Sequence, residues 1–137
     1  MAIQLSVDAR NGRLDAFETV VGTAPLLRIY DLTAGAPADC AAAIVGTLLA
    51  EMALPSDWMN AAGGGTKTKL GTWQDASANN AGTADFFRIY DSTGTTCHLQ
   101  GTVTITGGGG DLTLDNVSIA VGQSVTINTF TLTDANA

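Results

Sequence analysis

Charge is what this chain has least of. Charged residues make up 14% of it, against about 25% in ordinary soluble domains. Only six are Lys or Arg, and the net charge is −7. Binding a nucleic-acid backbone requires Lys and Arg clustered in a patch or stripe. The one close basic pair is Lys67 and Lys69, so direct contact with nucleic acid is not expected. Histidine and cysteine are scarce as well: His98, Cys40 and Cys97 are all there is. A metal centre takes three or four suitably spaced ligands, which this set does not supply. His98 follows Cys97 directly, and neighbours on a strand point to opposite faces, so the two do not form a nucleophile–base dyad. Asp111 and Asp115 lie near loops, but nothing in the sequence marks either as a catalytic acid or base. The ligand spacing of a calcium loop is also missing from 107–116. The expectation is a protein with no catalytic, cofactor-binding or metal-binding residues, and no enzyme.

Long apolar runs are missing too. The longest small or apolar run, Ala41–Ala50, is about half of what spans a bilayer. The first ten residues lack a basic region followed by an apolar one, so no signal peptide and no membrane partner are expected. A chain maturing in a reducing compartment keeps its thiols. Cys40 and Cys97 are therefore read as free and buried, with a single bridge as the alternative. The Ala62-Gly-Gly-Gly stretch lacks the lysine and hydroxyl of a phosphate-binding loop and is read as a flexible tip.

What is present is a repeat. Arg28-Ile29-Tyr30-Asp31 recurs as Arg88-Ile89-Tyr90-Asp91, each preceded by two apolar residues, Leu26-Leu27 or Phe86-Phe87. Each copy runs on through a turn to a cysteine, Cys40 or Cys97, then to Gly46-Thr47 or Gly101-Thr102. The repeated unit reads as strand, turn, strand. Two similar antiparallel hairpins facing each other across one core is the pattern of a β-sandwich. Alternation places Leu27, Ile29, Phe87 and Ile89 on the core face. Arg28, Tyr30, Arg88 and Tyr90 fall on the opposite face. An Arg near a Tyr on one strand face can stack on its ring. The face is either solvated or an anchor patch for another subunit, since Arg and Tyr are enriched at interface hot spots. These four residues are the candidate partner contact.

Elsewhere Ser6 reads as a helix N-cap, Asp8 as a first-turn acid and Gly22 as a C-terminal cap. Val7, Leu14, Phe17 and Val21 recur at helical spacing. This predicts an amphipathic helix over 6–21, with Arg10, Arg13, Asp15 and Glu18 on its other side. It either covers one end or edge of the sandwich or docks on a partner. The rest reads as strand: Leu26–Leu32, Gly46–Leu54 with Leu48, Ala50, Met52 and Leu54 on one face, Thr66–Trp73, Thr96–Thr106, Asp111–Asp115, Val117–Val121 and Ser124–Leu132. Trp58 and Met59 are expected to plug one end of the core. The tail from Thr133 is polar and small. The sum is one mainly β domain over 1–137, with the helix at 6–21 and a two-sheet antiparallel sandwich over 24–134. About eight strands make it jelly-roll in type.

Several segments bear a family likeness. Leu27-Arg-Ile-Tyr30, Cys40 and Leu54-Pro-Ser-Asp-Trp58-Met59 resemble stretches of small structural proteins of tailed bacteriophages. So do Phe87-Arg-Ile-Tyr-Asp-Ser-Thr-Gly-Thr-Thr-Cys97-His98-Leu-Gln-Gly-Thr102, Leu112-Thr-Leu-Asp-Asn116 and Phe130-Thr-Leu-Thr-Asp134. The likeness runs from about residue 10 onward. Among these proteins the chain looks most like jelly-roll cement, or decoration, proteins. The resemblance implies a non-enzymatic part of the virion, assembled in the host cytoplasm, that binds the outside of the capsid and bridges capsomers. It implies the major capsid protein as partner and self-association, a dimer foremost. A tail or head–tail joining protein is the alternative within the same particle. A carbohydrate-binding sandwich using Trp58, Trp73, Tyr30 and Tyr90 is the alternative from another class.

Overall fold

The computed structural model describes residues 2–135; Met1 and the last two tail residues, Asn136 and Ala137, lie outside it. Helix α1 spans Val7–Val21 and begins as its cap residues dictate. Ser6 Oγ accepts from the Ala9 N–H at 3.1 Å, and the Gly22 N–H donates to Glu18 O. Leu14 and Val21 are buried, and Phe17 packs against the core. Val7, in contrast, is 45% exposed. The amphipathic stripe is thus incomplete, and the charged side assists the docking. Lys67 Nζ lies 2.6 Å from both Asp15 Oδ1 and Glu18 Oε2. Asn11 Oδ1 accepts from the Gly65 N–H, and Arg13 pairs with Asp134. The helix covers its own chain.

Eleven strands follow among the described residues. β1 (Leu26–Leu32), β2 (Gly46–Ala53), β6 (Phe86–Tyr90), β7 (Cys97–Ile105) and β8 (Leu112–Leu114) form one sheet in the order β2-β1-β6-β7-β8. β3 (Thr66–Thr68) pairs with β11 (Thr131–Thr133), β4 (Trp73–Asp75) with β10 (Val125–Ile127), and β5 (Gly82–Thr83) with β9 (Ser118–Ile119). The fold is mainly β with one helix: a five-stranded sheet and three short pairs.

The two repeats do not face each other across the core. β1 and β6 pair antiparallel in the same sheet, with Arg28 opposite Arg88. The hairpins β1–β2 and β6–β7 therefore flank a local two-fold axis. Their irregularities match: a bulge lies between Ile29 and Tyr30 in one ladder and between Ile89 and Tyr90 in the other. In the first, Ala50 and Leu48 are partners of successive residues, leaving Leu49 as the extra one. In the second, Leu99 and Cys97 flank His98 in the same way. An extra residue reverses the alternation beyond it. That is why Leu49 is fully buried while Leu48, which strict alternation places in the core, is only half-buried. The register also corrects the downstream repeat. Cys97 stands where Leu48 does, and Cys40 lies in the β1–β2 connection with no counterpart.

Two expected long strands are broken. Thr66–Trp73 divides into β3 and β4 at Gly71, whose φ of 76° favours glycine and turns the chain. Ser124–Leu132 divides into β10 and β11 around Asn128–Phe130, which sends the Phe130 ring inward, 4% exposed. β7 and β8 pair parallel across the short glycine tip 106–111. Gly110 permits this close return, since a Cβ there would lie 2.8 Å from Thr104 N.

One buried cluster joins the sheet to the short pairs. Its centre is a file of rings: Phe17, Trp58, Trp73, Phe130 and Phe87, with successive centroids 6.4, 6.0, 5.5 and 5.9 Å apart. Trp58 and Met59 plug the core as expected, and Trp58 Nε1 donates to Gly22 O at 3.0 Å. Trp73 Nε1 donates to Leu70 O. Both indoles are thus fully buried without an orphan N–H.

Candidate functional site

The four residues singled out by the repeat meet on one face of the sheet. Because β1 and β6 are antiparallel neighbours, Arg28 stacks on the ring of Tyr90 across the strands. Its guanidinium carbon lies 4.7 Å from the Tyr90 ring centroid. The Tyr30 and Tyr90 hydroxyls are 3.2 Å apart. Burial, then the neighbouring Tyr90 hydroxyl, raises the Tyr30 pKa well above the ordinary tyrosine value.

This face is neither solvated nor presented whole to a partner. Tyr30, Tyr90 and Arg88 are buried at 6%, 8% and 4% exposure, and Arg28 alone keeps a partly exposed side chain. The cover is the chain itself. Residues 33–45, between β1 and β2, lie over the Arg88 side. Arg88 Nη2 donates to Asp39 O at 3.0 Å, to Ala42 O at 2.7 Å and to Gln100 Oε1 at 3.0 Å. Gln100 Nε2 in turn donates to Pro37 O at 3.0 Å. Over the Arg28 side lies the β6–β7 turn, with Arg28 Nη1 donating to Gly94 O at 3.3 Å and Nε pairing with Glu51. Each repeat's arginine is held by carbonyls of the other repeat's loop. A guanidinium suits this because its fixed fork satisfies several acceptors at once.

The sequence left open whether the two cysteines approach each other, and the structure brings them together. Cys97 Sγ lies 2.7 Å from Cys40 Sγ and 3.4 Å from Leu99 O. Burial, then Cys40, pushes the Cys97 thiol up to about 12. Nothing in the linear pattern reveals this meeting, since it depends on the 33–45 excursion folding back over β7.

The acidic residues act locally. Asp111 Oδ2 accepts from Thr102 N–H and hydroxyl, Asp91 Oδ1 from Thr93 and Thr95, and Asp31 Oδ2 from the Thr83 N–H. Asp75 Oδ2 accepts from the Glu51 N–H, and Asn80 Nδ2 donates to Leu48 O, so the 75–82 loop covers the open edge of β2. Covered edges resist strand addition by other chains. Among the described residues, no group of three or more potential ligands stands ready for a metal ion, and no helix is long and apolar enough to cross a membrane. The aromatics named for sugar stacking, Trp58, Trp73, Tyr30 and Tyr90, are all buried. No match to this chain is found among protein-family models, curated proteins or solved structures.

Proposed function

We propose that this protein is a non-enzymatic cement, or decoration, protein of a tailed-bacteriophage capsid. It would bind the outside of the shell, bridge neighbouring capsomers and assemble in the host cytoplasm. The observation that carries the reading is the resemblance in sequence together with where it falls. The likened segments are those of β1, the Trp58–Met59 plug, the β6–β7 hairpin, β8 and β11. They are the parts that build the sheet and its core. The finer architecture, a jelly-roll sandwich with the three short pairs serving as the second sheet, belongs to the same proposal.

A surface of few charges supports it. Protein interfaces are depleted in charged residues at their centres, and here exposed apolar side chains such as Ile3, Val20, Ile105 and Val121 stand among small polar ones. The contact with the major capsid protein, and with a second copy, falls to such residues and to the exposed part of Arg28. Buried Arg88 and Tyr30 instead shape the loops from within. Mechanically, such a protein adds buried area across seams of a shell strained by packaged DNA. Engaging several sites at once makes each further contact effectively intramolecular. The glycine tips at 62–65 and 107–110 would adapt it to unequal lattice sites.

The test is a count of copies per major shell protein in purified particles, by quantitative mass spectrometry. A copy number scaling with the shell lattice is the expected result. A number matching one ring would replace the proposal with a head–tail joining or tail role, and absence from the particle would end both.

A further inference from the structure

The β1–β2 excursion is held to the sheet by Arg88 and Gln100, and it also carries Cys40 to Cys97. We propose that Cys40 and Cys97 are a disulfide site: a thiol–disulfide oxidant, such as glutathione disulfide, closes a bond that staples residues 33–45 onto β7. The bond's formation does not depend on any role in a capsid.

Four observations carry this. The sulfurs are 2.7 Å apart, so a bonded separation of about 2.05 Å requires roughly 0.6 Å of approach. Cys40 is already held in place from both sides, by Pro37 O and Asp39 O before it and Ala42 O after it, all accepting from Gln100 or Arg88. Packing alone does not call for a thiol at 97, because the matching position of the other repeat holds Leu48. Both cysteines are free and half-buried, which leaves a path for a small oxidant.

The order of events follows from the surroundings. Cys97, whose thiol is held protonated near neutral pH by burial and by Cys40, has Cys40 Sγ and Leu99 O as alternative acceptors for its one S–H. Cys40 is thus the entering nucleophile. Its thiolate attacks one sulfur of glutathione disulfide, that S–S bond breaks, and one glutathione leaves. Cys97 then gives up its proton and attacks the Cys40 sulfur of the mixed disulfide, expelling the second glutathione. Two protein thiols lose two electrons, one glutathione disulfide gains them, and the two protons end on the two glutathione thiols. The closed ring runs from 40 to 97, a separation of 57. It ties the cover of the Arg–Tyr face to the sheet and restricts the unfolded chain.

The experiment uses the full chain, first reduced and then equilibrated with glutathione disulfide, beside Cys40→Ser and Cys97→Ser. Intact mass and peptide mapping read the result. The wild type should lose two hydrogens, carry no glutathione, show no interchain disulfide and yield one linked peptide pair joining Cys40 to Cys97 within one chain. Cys97→Ser should stop at a glutathione adduct on Cys40. Amide exchange over 33–45 should slow on oxidation and recover with excess reduced glutathione. A wild type that keeps both thiols, that accumulates stable glutathione adducts, or that forms disulfide-linked dimers between chains would overturn the proposal. If the Ser variants do not fold, the mass and map of the wild type decide it alone.

Discussion

Arg28 and Arg88 stand directly opposite each other across β1 and β6, at the local two-fold axis of the duplicated hairpins. Two like charges in register on one sheet face repel unless each is separately neutralised or solvated. Here Arg28 has Glu51 and the Tyr90 ring, whereas Arg88 has only neutral acceptors: Gln100, Asp39 O and Ala42 O. The repeat is symmetric in backbone and asymmetric in how it handles charge.

That asymmetry separates two substitutions. Arg88→Ala should destabilise the fold by about 2–4 kcal/mol, because buried carbonyls lose their donor. Arg28→Ala, at a partly exposed site, should cost under about 1.5 kcal/mol. Urea denaturation of both variants measures the difference. Equal costs would mean that the 33–45 cover does not depend on Arg88.

The bulge makes a second pair of outcomes. Leu49→Ala should cost about 3 kcal/mol, as for a fully buried leucine, and Leu48→Ala about 1 kcal/mol or less. Strict alternation along β2 predicts the reverse order. Thermal or chemical denaturation of the two variants distinguishes the registers.

Lys67 is the fastening of the helix. Its ammonium is buried at 1% side-chain exposure and reaches two carboxylates of α1. Lys67→Ala should cost about 2–3 kcal/mol and should raise amide exchange in α1 more than in β1. Uniform loss of protection would show that the helix does not open separately.

The same ion pairs set a pH dependence. Asp15 is held below its ordinary 3.8, first by Lys67 and then by the Ala62 N–H. A carboxylate depressed on folding contributes in full above its unfolded pKa and loses that contribution as pH falls through the folded value. Asp91, depressed by the Thr95 N–H and the Thr93 hydroxyl, behaves in the same sense. Lys67, raised despite burial because Asp15 and Glu18 bind it, contributes below 10.5 and loses its contribution as pH rises through its folded value. Stability should therefore fall on acidification from about pH 5 downward, through 3.8 and on below it. The fall should be smaller in Lys67→Met, as read by urea midpoints at each pH. An identical fall in the two proteins would assign the acid sensitivity to other carboxylates.

Local features were legible in the linear chain because they rest on local physics. The helix with its Ser6 and Gly22 caps, the bounds of β1, the core face of Leu27, Ile29, Phe87 and Ile89, and the Trp58–Met59 plug all follow from capping, alternation and apolar content. What the tertiary structure decided has a different cause in each case. Repeats that look alike in sequence can pair edge to edge or stack face to face, and only long-range pairing chose the edge for β1 and β6. A one-residue bulge leaves no mark in composition, yet it exchanged Leu48 for Leu49 in the core. The charges on the helix left open whether it covers its own sandwich or docks on a partner, until Lys67, buried on β3, paired with Asp15 and Glu18. The Arg–Tyr face read as open because nothing in the 33–45 stretch says where it lies. Its backbone carbonyls found Arg88, and in settling there brought Cys40 to Cys97. Alternation and capping are properties of neighbours along the chain, whereas covering, register and the meeting of distant side chains are settled only when the whole core closes.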